Sequence, residues 1–126
     1  MADFFLASAS PRRRDLLRQV GARFETLLLR VAQPRGPDVL EVAAPGEEGA
    51  PTSRVSVSRV WIRALDEGEI ARYCASREPL GKAGAYALQG RGAAFVERIE
   101  GSCSGVVGLP LSQTVELLAG AGILLP

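Results

Sequence analysis

Residues 33–53 interrupt the chain and limit the folds that are open to it. This segment holds four prolines and three glycines among acidic and small residues, so no long helix or strand can cross it. Only residues 39–42, Val-Leu-Glu-Val, have the character of a short structured piece. We therefore expect one domain, residues 1–126, built from an N-terminal part at 1–31, an irregular connector at 32–53 and a C-terminal part at 54–126.

The N-terminal part has the pattern of a strand, a loop, a helix and a second strand. The apolar run at residues 4–7 predicts a buried strand, and residues 24–31 predict another. Between them, Ser10 suits a helix N-cap, Pro11 suits the first helical position and Gly21 suits the helix end. The N-terminal part is therefore predicted to have the order strand, loop, helix, strand.

The C-terminal part begins with an alternation of apolar and polar residues. At residues 54–62 this alternation slips by one position, which predicts a single strand with a bulge near Ser58 and Arg59. Trp61 lies in that strand, and we expect it in the core. A further strand is predicted at residues 94–99, because that stretch is again apolar and β-branched.

A helix is predicted between these two strands. Asp66, followed three positions later by Glu69, resembles a capping box with Asp in the place of Ser or Thr. The spacing of apolar residues that follows predicts a helix to about residue 75, with one face that buries Ile70, Tyr73 and Cys74.

Composition excludes several classes of function. The net charge of +1 does not suggest a protein that binds nucleic acid polymers. The absence of histidine excludes a Ser-His-Asp hydrolase, a histidine proton shuttle and a histidine-ligated zinc site. Two cysteines are too few for a disulfide framework, so we expect a reducing, cytoplasmic location. No apolar run has membrane-spanning length and the first residues do not resemble a signal peptide, so no membrane partner is expected.

Three arginines occupy the predicted start of the first helix, within Ser8-Ala-Ser-Pro-Arg-Arg-Arg-Asp-Leu-Leu17. A helix N-terminus carries partial positive charge, so each early cation costs about 0.3–1 kcal/mol at an exposed site. A bound phosphate among the arginines would account for them, because helix N-termini and arginine both bind phosphate. A solvated basic turn, partly compensated by Asp15, is an equally good interpretation of these residues alone.

Two further stretches are rich in glycine and small residues. In the stretch at 81–90, Lys82 can neutralise a phosphate and Gln89 can pair with the edge of a base, although an ordinary surface loop is the favoured interpretation. The stretch at 101–110 predicts a tight turn that leads into a last helix. Cys103 in this turn is expected to be a structural thiol, because the chain has no histidine to activate it.

Taken in order, these stretches resemble the Maf family of nucleoside triphosphate pyrophosphatases. LASASPRRRDLL, EPLGKAGAYALQG and IEGSCSGVVGLPL are similar to the family patterns LASxSPRRxELL, GEPxDKAGAYGIQG and IxGSYxNVVGLPL. Residues 65–73 also resemble the family segment LSxxEIxxYV. The resemblance covers residues 4–31 and 54–120.

The resemblance implies a curved mixed α/β sheet flanked by helices, with a cleft between two lobes. It implies hydrolysis of a nucleoside triphosphate to the monophosphate and pyrophosphate, with a divalent cation, Mg²⁺ or Mn²⁺. The pairing of Arg12 with Gln89 resembles the subgroup that prefers dTTP and UTP. The substrate-binding residues that the resemblance implies are Ser8, Ser10, Arg12, Arg13, Lys82 and Gln89.

A central block of the family pattern has no match in this chain. In the family, that block carries two lysines and the aspartate that serves as general base, so no catalytic residue is assigned here and the metal ligands are unknown. The first hypothesis is a pyrophosphatase by descent with reduced or absent activity. The alternatives are a non-catalytic nucleotide-binding or interaction module and a deletion product without function. Because a central strand is lost, the sheet closes differently or a partner, such as a second copy in a homodimer, supplies an edge.

Overall fold

The computed structural model describes residues 2–26, 39–42 and 52–126. The predicted strand residues 27–31 and the remainder of the predicted connector lie outside the described residues. The helices and strands in the described part are β1 (Phe4–Leu6), α1 (Pro11–Gln19), β2 (Phe24–Thr26), β3 (Val39–Val42), β4 (Thr52–Val55), β5 (Arg59–Ile62), α2 (Glu67–Ala75), β6 (Val96–Glu100), α3 (Cys103–Val107) and α4 (Leu111–Gly120). Two short 3₁₀ helices, Ala83–Ala85 and Arg91–Phe95, lie between α2 and β6. This mixture confirms the predicted α/β class.

The caps predicted for α1 are both present. Ser10 is the N-cap, and its side-chain oxygen accepts a hydrogen bond from the backbone N–H of Arg13 at 3.4 Å. The helix ends at Gln19, and Gly21 follows with a φ of +76°, a conformation that glycine adopts without the strain of a Cβ atom. The local sequence therefore fixes where α1 begins and ends.

Strands β1 and β2 form a parallel pair on either side of α1, which makes a β-α-β unit. Phe4 is opposite Phe24, and their rings stack with centroids 5.8 Å apart. The prediction of a buried first strand is wrong at Phe5, which is 65% exposed. Side chains alternate along a strand, so Phe4 and Leu6 pack on the leucines of α1 whereas Phe5 points to the other face.

The predicted single strand at residues 54–62 is two strands. Strand β4 pairs antiparallel with β3, β5 pairs antiparallel with β6, and residues 56–58 between them have no strand structure. The predicted bulge near Ser58 is wrong as well, because the register shift lies between Trp61 and Ile62. Ser58 is instead bonded to a turn, where its Oγ accepts the N–H of Ser102 at 3.0 Å. The slip in the sequence pattern thus marks the point where the chain leaves the β3–β4 sheet and enters the β5–β6 sheet.

Trp61 is not in the core, contrary to the sequence prediction. Its side chain is 38% exposed, and the guanidinium of Arg98 on β6 lies 4.8 Å from its ring centroid. Trp61 and Arg98 are directly opposite in the β5–β6 pair. The face of this two-stranded sheet that carries Trp61 is partly open to solvent. The tryptophan ring therefore packs beneath the Arg98 cation at the surface.

Helix α2 has the predicted N-cap, but the side chains that it buries differ from those predicted. Asp66 Oδ1 accepts the N–H of Glu69 at 2.8 Å, as a capping residue should. Tyr73 is partly buried, but Ile70 and Cys74 are exposed, so the prediction that both are buried is wrong. In the described part of the molecule, α2 contacts its neighbours through the ring of Tyr73, which meets Phe95, and through the ion pair of Glu69 with Arg63 at 2.6 Å.

Two leucines of α1 and one from the turn before α4 form the hydrophobic cluster of the described part of the molecule. The buried hydrophobic side chains among the described residues are Leu16, Leu17, Ala87, Leu109, Leu117 and Leu118. Leu16, Leu17 and Leu109 are in mutual contact, which joins α1 to the turn before α4. Among the described helices, none is both long and apolar enough to cross a membrane.

Candidate functional site

The loop between β1 and α1 is shaped by its two serines. Ser8 Oγ accepts the backbone N–H of Ser10 at 3.2 Å, and Ser10 in turn caps α1. Ser8 Oγ also accepts a bond from the Arg13 guanidinium at 3.3 Å. A hydroxyl has two acceptor sites and one donor, so these two bonds leave the Ser8 hydrogen to donate to another acceptor.

Arg13 joins the start of α1 to the turn before α4. Its Nε donates to the carbonyl oxygen of Gly108 at 3.0 Å, while a terminal nitrogen donates to Ser8. These partners lie 95 and 5 positions away in the sequence. The turn approaches α1 closely, because a Cβ placed on Gly108 would lie 3.4 Å from the Cβ of Arg12. Arg13 therefore brings the first and third sequence motifs together.

Arg12 joins the same helix start to the second motif. Its terminal nitrogen lies 3.4 Å from the carbonyl oxygen of Gly81, 69 positions away, and the contact is exposed to solvent. An exposed bond at this distance contributes little energy, so the guanidinium can rotate toward another acceptor. The two neighbouring arginines thus contact the other two motifs, one each.

Lys82 and Gln89 lie on the loop between α2 and β6. The Lys82 ammonium donates to the carbonyl oxygen of Glu78 at 2.8 Å, and an ammonium has two further donors. Gln89 is exposed in a turn at residues 88–90. This turn is closed by a bond from the Gly90 N–H to the carbonyl of Ala87 at 3.1 Å.

A carboxylate that the sequence analysis did not single out holds this loop. Glu78 Oε1 accepts the Tyr73 hydroxyl at 2.7 Å and the Gly92 N–H at 3.0 Å, and its Oε2 accepts the Arg91 N–H at 3.1 Å. The hydrogen bond from Tyr73, then that from Gly92, lowers the pKa of the Glu78 carboxyl from its ordinary value of 4.5. Burial, with the same hydrogen bond, raises the pKa of Tyr73. The signal in the sequence was the Glu-Pro pair that opens the second motif.

A cavity of about 870 Å³ lies beside the β1–α1 loop. Ser8 and Arg13 line it, together with Tyr86 from the second motif and Gly108 from the third. The other predicted site residues, Ser10, Arg12, Lys82 and Gln89, are not among its lining residues. The structure thus brings Ser8 and Arg13 to one cavity and places the remaining four around the start of α1 and on the neighbouring loop.

The described residues offer no cluster of metal-ligating side chains. They contain no group of three or more acidic or cysteine side chains close enough to share an ion. Asp3 lines the cavity, but both of its oxygens accept bonds from Arg23, at 2.9 and 3.0 Å. Glu78 already accepts three bonds. Both carboxylates therefore already accept hydrogen bonds within the protein, and neither belongs to a cluster of metal-ligating side chains in the described residues.

The third motif contains a short helix, α3, where the sequence predicted only a tight turn before the last helix. Ser102 caps α3 by accepting the N–H of Gly105 at 2.9 Å, and Ser104 Oγ accepts the N–H of Leu111 at the start of α4. Cys103 is exposed and is not paired with the other cysteine. These bonds give the serines structural roles in the turn that carries Gly108.

The fold and the site together define an α/β protein with three arginines in the first turn of the helix that follows its first strand. A sequence model described as Maf-like protein matches residues 39–121, which is more than half of the chain. The chain belongs to the Maf family.

Curated relatives agree with this assignment. The dTTP/UTP pyrophosphatase of Cupriavidus pinatubonensis is 35% identical over 193 aligned positions, which cover 93% of this chain and 96% of that protein. The dTTP/UTP pyrophosphatase of Aromatoleum aromaticum is 42% identical and covers 96% of each chain. The dTTP/UTP pyrophosphatase of Bordetella parapertussis is 46% identical over 99 residues, which are 79% of this chain and 48% of the relative.

These alignments locate a difference in length inside the chain. An alignment of 193 positions exceeds the 126 residues of this protein, so the Cupriavidus relative has internal residues that have no counterpart here. The aligned part of the Bordetella relative is only about half of that protein. The relatives are thus longer through residues that this chain lacks.

Proposed function

We propose that this chain is a nucleoside triphosphate pyrophosphatase by descent, which keeps the triphosphate-binding half of the site and hydrolyses its ligand slowly. The observation that carries the proposal is the convergence of three distant motifs at the N-terminus of α1. Arg13 contacts Gly108, and Arg12 contacts Gly81. Helix N-termini and arginine guanidinium groups both favour phosphate oxygens.

The substrate class follows from the relatives. The relatives are named dTTP/UTP pyrophosphatases, so we propose these pyrimidine nucleotides as ligands of this chain. In this proposal Arg12, Arg13 and Lys82 bind phosphate oxygens, and Ser8 and Ser10 shape the loop. Gln89 pairs with the base, because an amide offers one donor group and one acceptor at a suitable spacing.

We propose slow hydrolysis because the carboxylates that could act as a base already accept hydrogen bonds. Attack of water on a phosphoryl group is helped by a general base, and such a base contributes about 10²–10⁴-fold to a rate. Asp3 and Glu78 are both engaged in hydrogen bonds, and the lowered pKa of Glu78 makes it a weak base. The central family segment that carries the base has no match in the sequence. A divalent cation, Mg²⁺ or Mn²⁺, is proposed as a companion of the nucleotide and not as a resident of the described residues.

The organisation and location of the chain belong to the same proposal. We propose one domain, with residues 1–31 and 54–126 joined by the segment 32–53, and a homodimer as the assembly that supplies missing edges. The exposed thiols of Cys74 and Cys103 support a reducing, cytoplasmic compartment, where such thiols stay reduced.

Binding of UTP to arginine variants tests the proposal. Arg12→Ala and Arg13→Ala should each weaken UTP binding by about 10-fold or more, because a hydrogen bond to a charged group contributes about 1.5–3 kcal/mol. Arg13→Ala should also lower the melting temperature, since Arg13 holds Gly108 and Ser8. Isothermal titration calorimetry gives the affinities, with thermal melts alongside.

Arg14→Ala is the matched control, because it removes the same charge from the same helical turn without touching a residue assigned to phosphate. It should bind UTP within about twofold of the parent, as expected for a screened surface charge. If all three variants bind UTP as the parent does, the arginines do not bind the triphosphate and the proposal is wrong.

A further inference from the structure

The loop at residues 78–92 is closed at its base by a single residue. The Glu78 carboxylate accepts the N–H groups of Arg91 and Gly92, just beyond the turn that carries Gln89. The Glu78 carbonyl oxygen accepts the Lys82 ammonium at 2.8 Å. The carboxylate of Glu78 therefore holds the end of the loop at Arg91 and Gly92. The main-chain carbonyl of Glu78 holds the ammonium of Lys82.

The fit around this carboxylate is close. A Cβ placed on Gly90 would lie 2.7–2.8 Å from the Glu78 carboxylate atoms, so a larger residue cannot occupy that position without moving them. A Cβ on Gly92 would lie 2.7 Å from the carbonyl oxygen of Ala87 and 2.9 Å from the Tyr73 hydroxyl. The backbone on both sides of Arg91 is thus pressed against the carboxylate, the hydroxyl and the preceding turn.

Tyr73 anchors the same arrangement to α2. Its hydroxyl donates to Glu78 at 2.7 Å and accepts the N–H of Ala87 at 3.0 Å. Its ring meets Phe95 edge to face, with centroids 4.9 Å apart. Because Ala87 and Gly92 lie on either side of Gln89, the bonds from Tyr73 and Glu78 fix both ends of the turn at 88–90.

We propose that Glu78 is a positioning residue for recognition of the nucleotide base, acting through the turn that carries Gln89. The inference rests on the proposed function, in which Gln89 pairs with the base and the arginines bind the phosphates. In this inference the loop has two separate tasks, which are base recognition through Gln89 and phosphate binding through Lys82. The carboxylate positions Gln89, whereas the carbonyl oxygen holds Lys82 and does not depend on the side chain.

Glu78→Gln tests this separation because it keeps the backbone carbonyl and replaces one carboxylate oxygen by an N–H₂ group that cannot accept a bond. Affinities of the full chain for UTP and for inorganic tripolyphosphate are measured by calorimetry. Glu78→Gln should weaken UTP binding at least about 10-fold and change tripolyphosphate binding less than about twofold. Tyr73→Phe should likewise weaken UTP binding and leave tripolyphosphate binding nearly unchanged. Glu116→Gln, at an exposed position on α4, should change neither affinity.

Amide hydrogen exchange supplies a readout that needs no ligand. In Glu78→Gln, exchange at Ala87, Arg91 and Gly92 should accelerate while exchange in α1 stays as in the parent. Equal losses of UTP and tripolyphosphate binding, or unchanged binding of both, would overturn the positioning role. A parent chain that binds no UTP would overturn the proposed function and this inference together. If the parent binds UTP and Glu78→Gln binds it with the same affinity, this inference alone is overturned.

Discussion

At the scale of single residues, Gly92 makes a close backbone contact with Ala87 of the second motif. The position is buried, and an added Cβ would meet both the nitrogen and the oxygen of Ala87 at 2.7–2.8 Å. Backbone atoms cannot move aside as the end of a flexible side chain can. The small residue is therefore required by the close contact of two backbone segments.

We expect Gly92→Ala to lower the free energy of unfolding by about 1–3 kcal/mol, the usual cost of forcing an extra methyl group into a packed site. Urea denaturation measures the change. Gly120→Ala is the matched control, since nothing lies within 4 Å of a Cβ at that helical position. It should be neutral or stabilising by up to about 1 kcal/mol. Equal stability of the two variants would show that the contact at Gly92 is absent.

Single residues also show what the sequence could predict. Ser10 and Asp66 were identified as caps because a capping bond involves neighbours three positions apart. The bond from Arg13 to Gly108 spans 95 positions, so no local pattern could reveal it. The assignment of Arg13 to phosphate stays a prediction, and its contacts with Ser8 and Gly108 are an addition from the structure.

At the scale of elements, the loop between α2 and β6 depends on the ionised form of Glu78. Its folded-state pKa is lowered from 4.5, first by the Tyr73 hydroxyl and also by the Gly92 and Arg91 amides and the charge of Lys82. A lowered folded-state pKa means that the stabilisation is present above pH 4.5 and is lost as the pH falls through the lower value. The loop should therefore open in acid.

We expect the exchange protection of the Arg91 and Gly92 amides to be full near neutral pH and to decrease below pH 4.5, ahead of the protection in α1. This pH dependence should be absent in Glu78→Gln, whose side chain does not titrate and whose Arg91 and Gly92 amides should exchange faster than in the parent at neutral pH. Hydrogen exchange with mass spectrometry, corrected for intrinsic rates, measures this. Protection that persists into strong acid, or that falls together with α1, would contradict the role of the carboxylate.

The strands show where element-scale prediction failed. The pattern at residues 54–62 has the right residues for strands, but it carries no information on which partner each half pairs with. Strand β4 pairs with β3 and β5 pairs with β6, and this choice is made by distant segments. The exposure of Trp61 has the same origin, since burial depends on whether another layer covers the sheet.

At the scale of the whole molecule, the described strands form three separate pairs. They are β1 with β2, β3 with β4 and β5 with β6, so each described strand has one described neighbour. Exposed apolar side chains accompany these pairs, among them Phe5, Val55 and Ile62. The relatives have additional internal residues in the corresponding alignment.

The resemblance found in the sequence gave the family correctly, because its three motifs are long and occur in order. It could not give the geometry that joins them. Arg12 and Arg13 reach the second and third motifs across 69 and 95 positions. That convergence, together with the hydrogen-bonded carboxylates of Asp3 and Glu78, is the basis of the proposal that the chain binds a nucleoside triphosphate and hydrolyses it slowly.

Pyrophosphate release from UTP tests this claim most directly. The purified chain and the Aromatoleum aromaticum relative, which is 42% identical, are compared under the same conditions with Mg²⁺, and binding of UTP to the chain is measured in parallel. The account predicts saturable UTP binding with release about 10²–10⁴-fold slower than that of the relative, the range contributed by a general base. Release at the rate of the relative, or no binding of UTP, would contradict it.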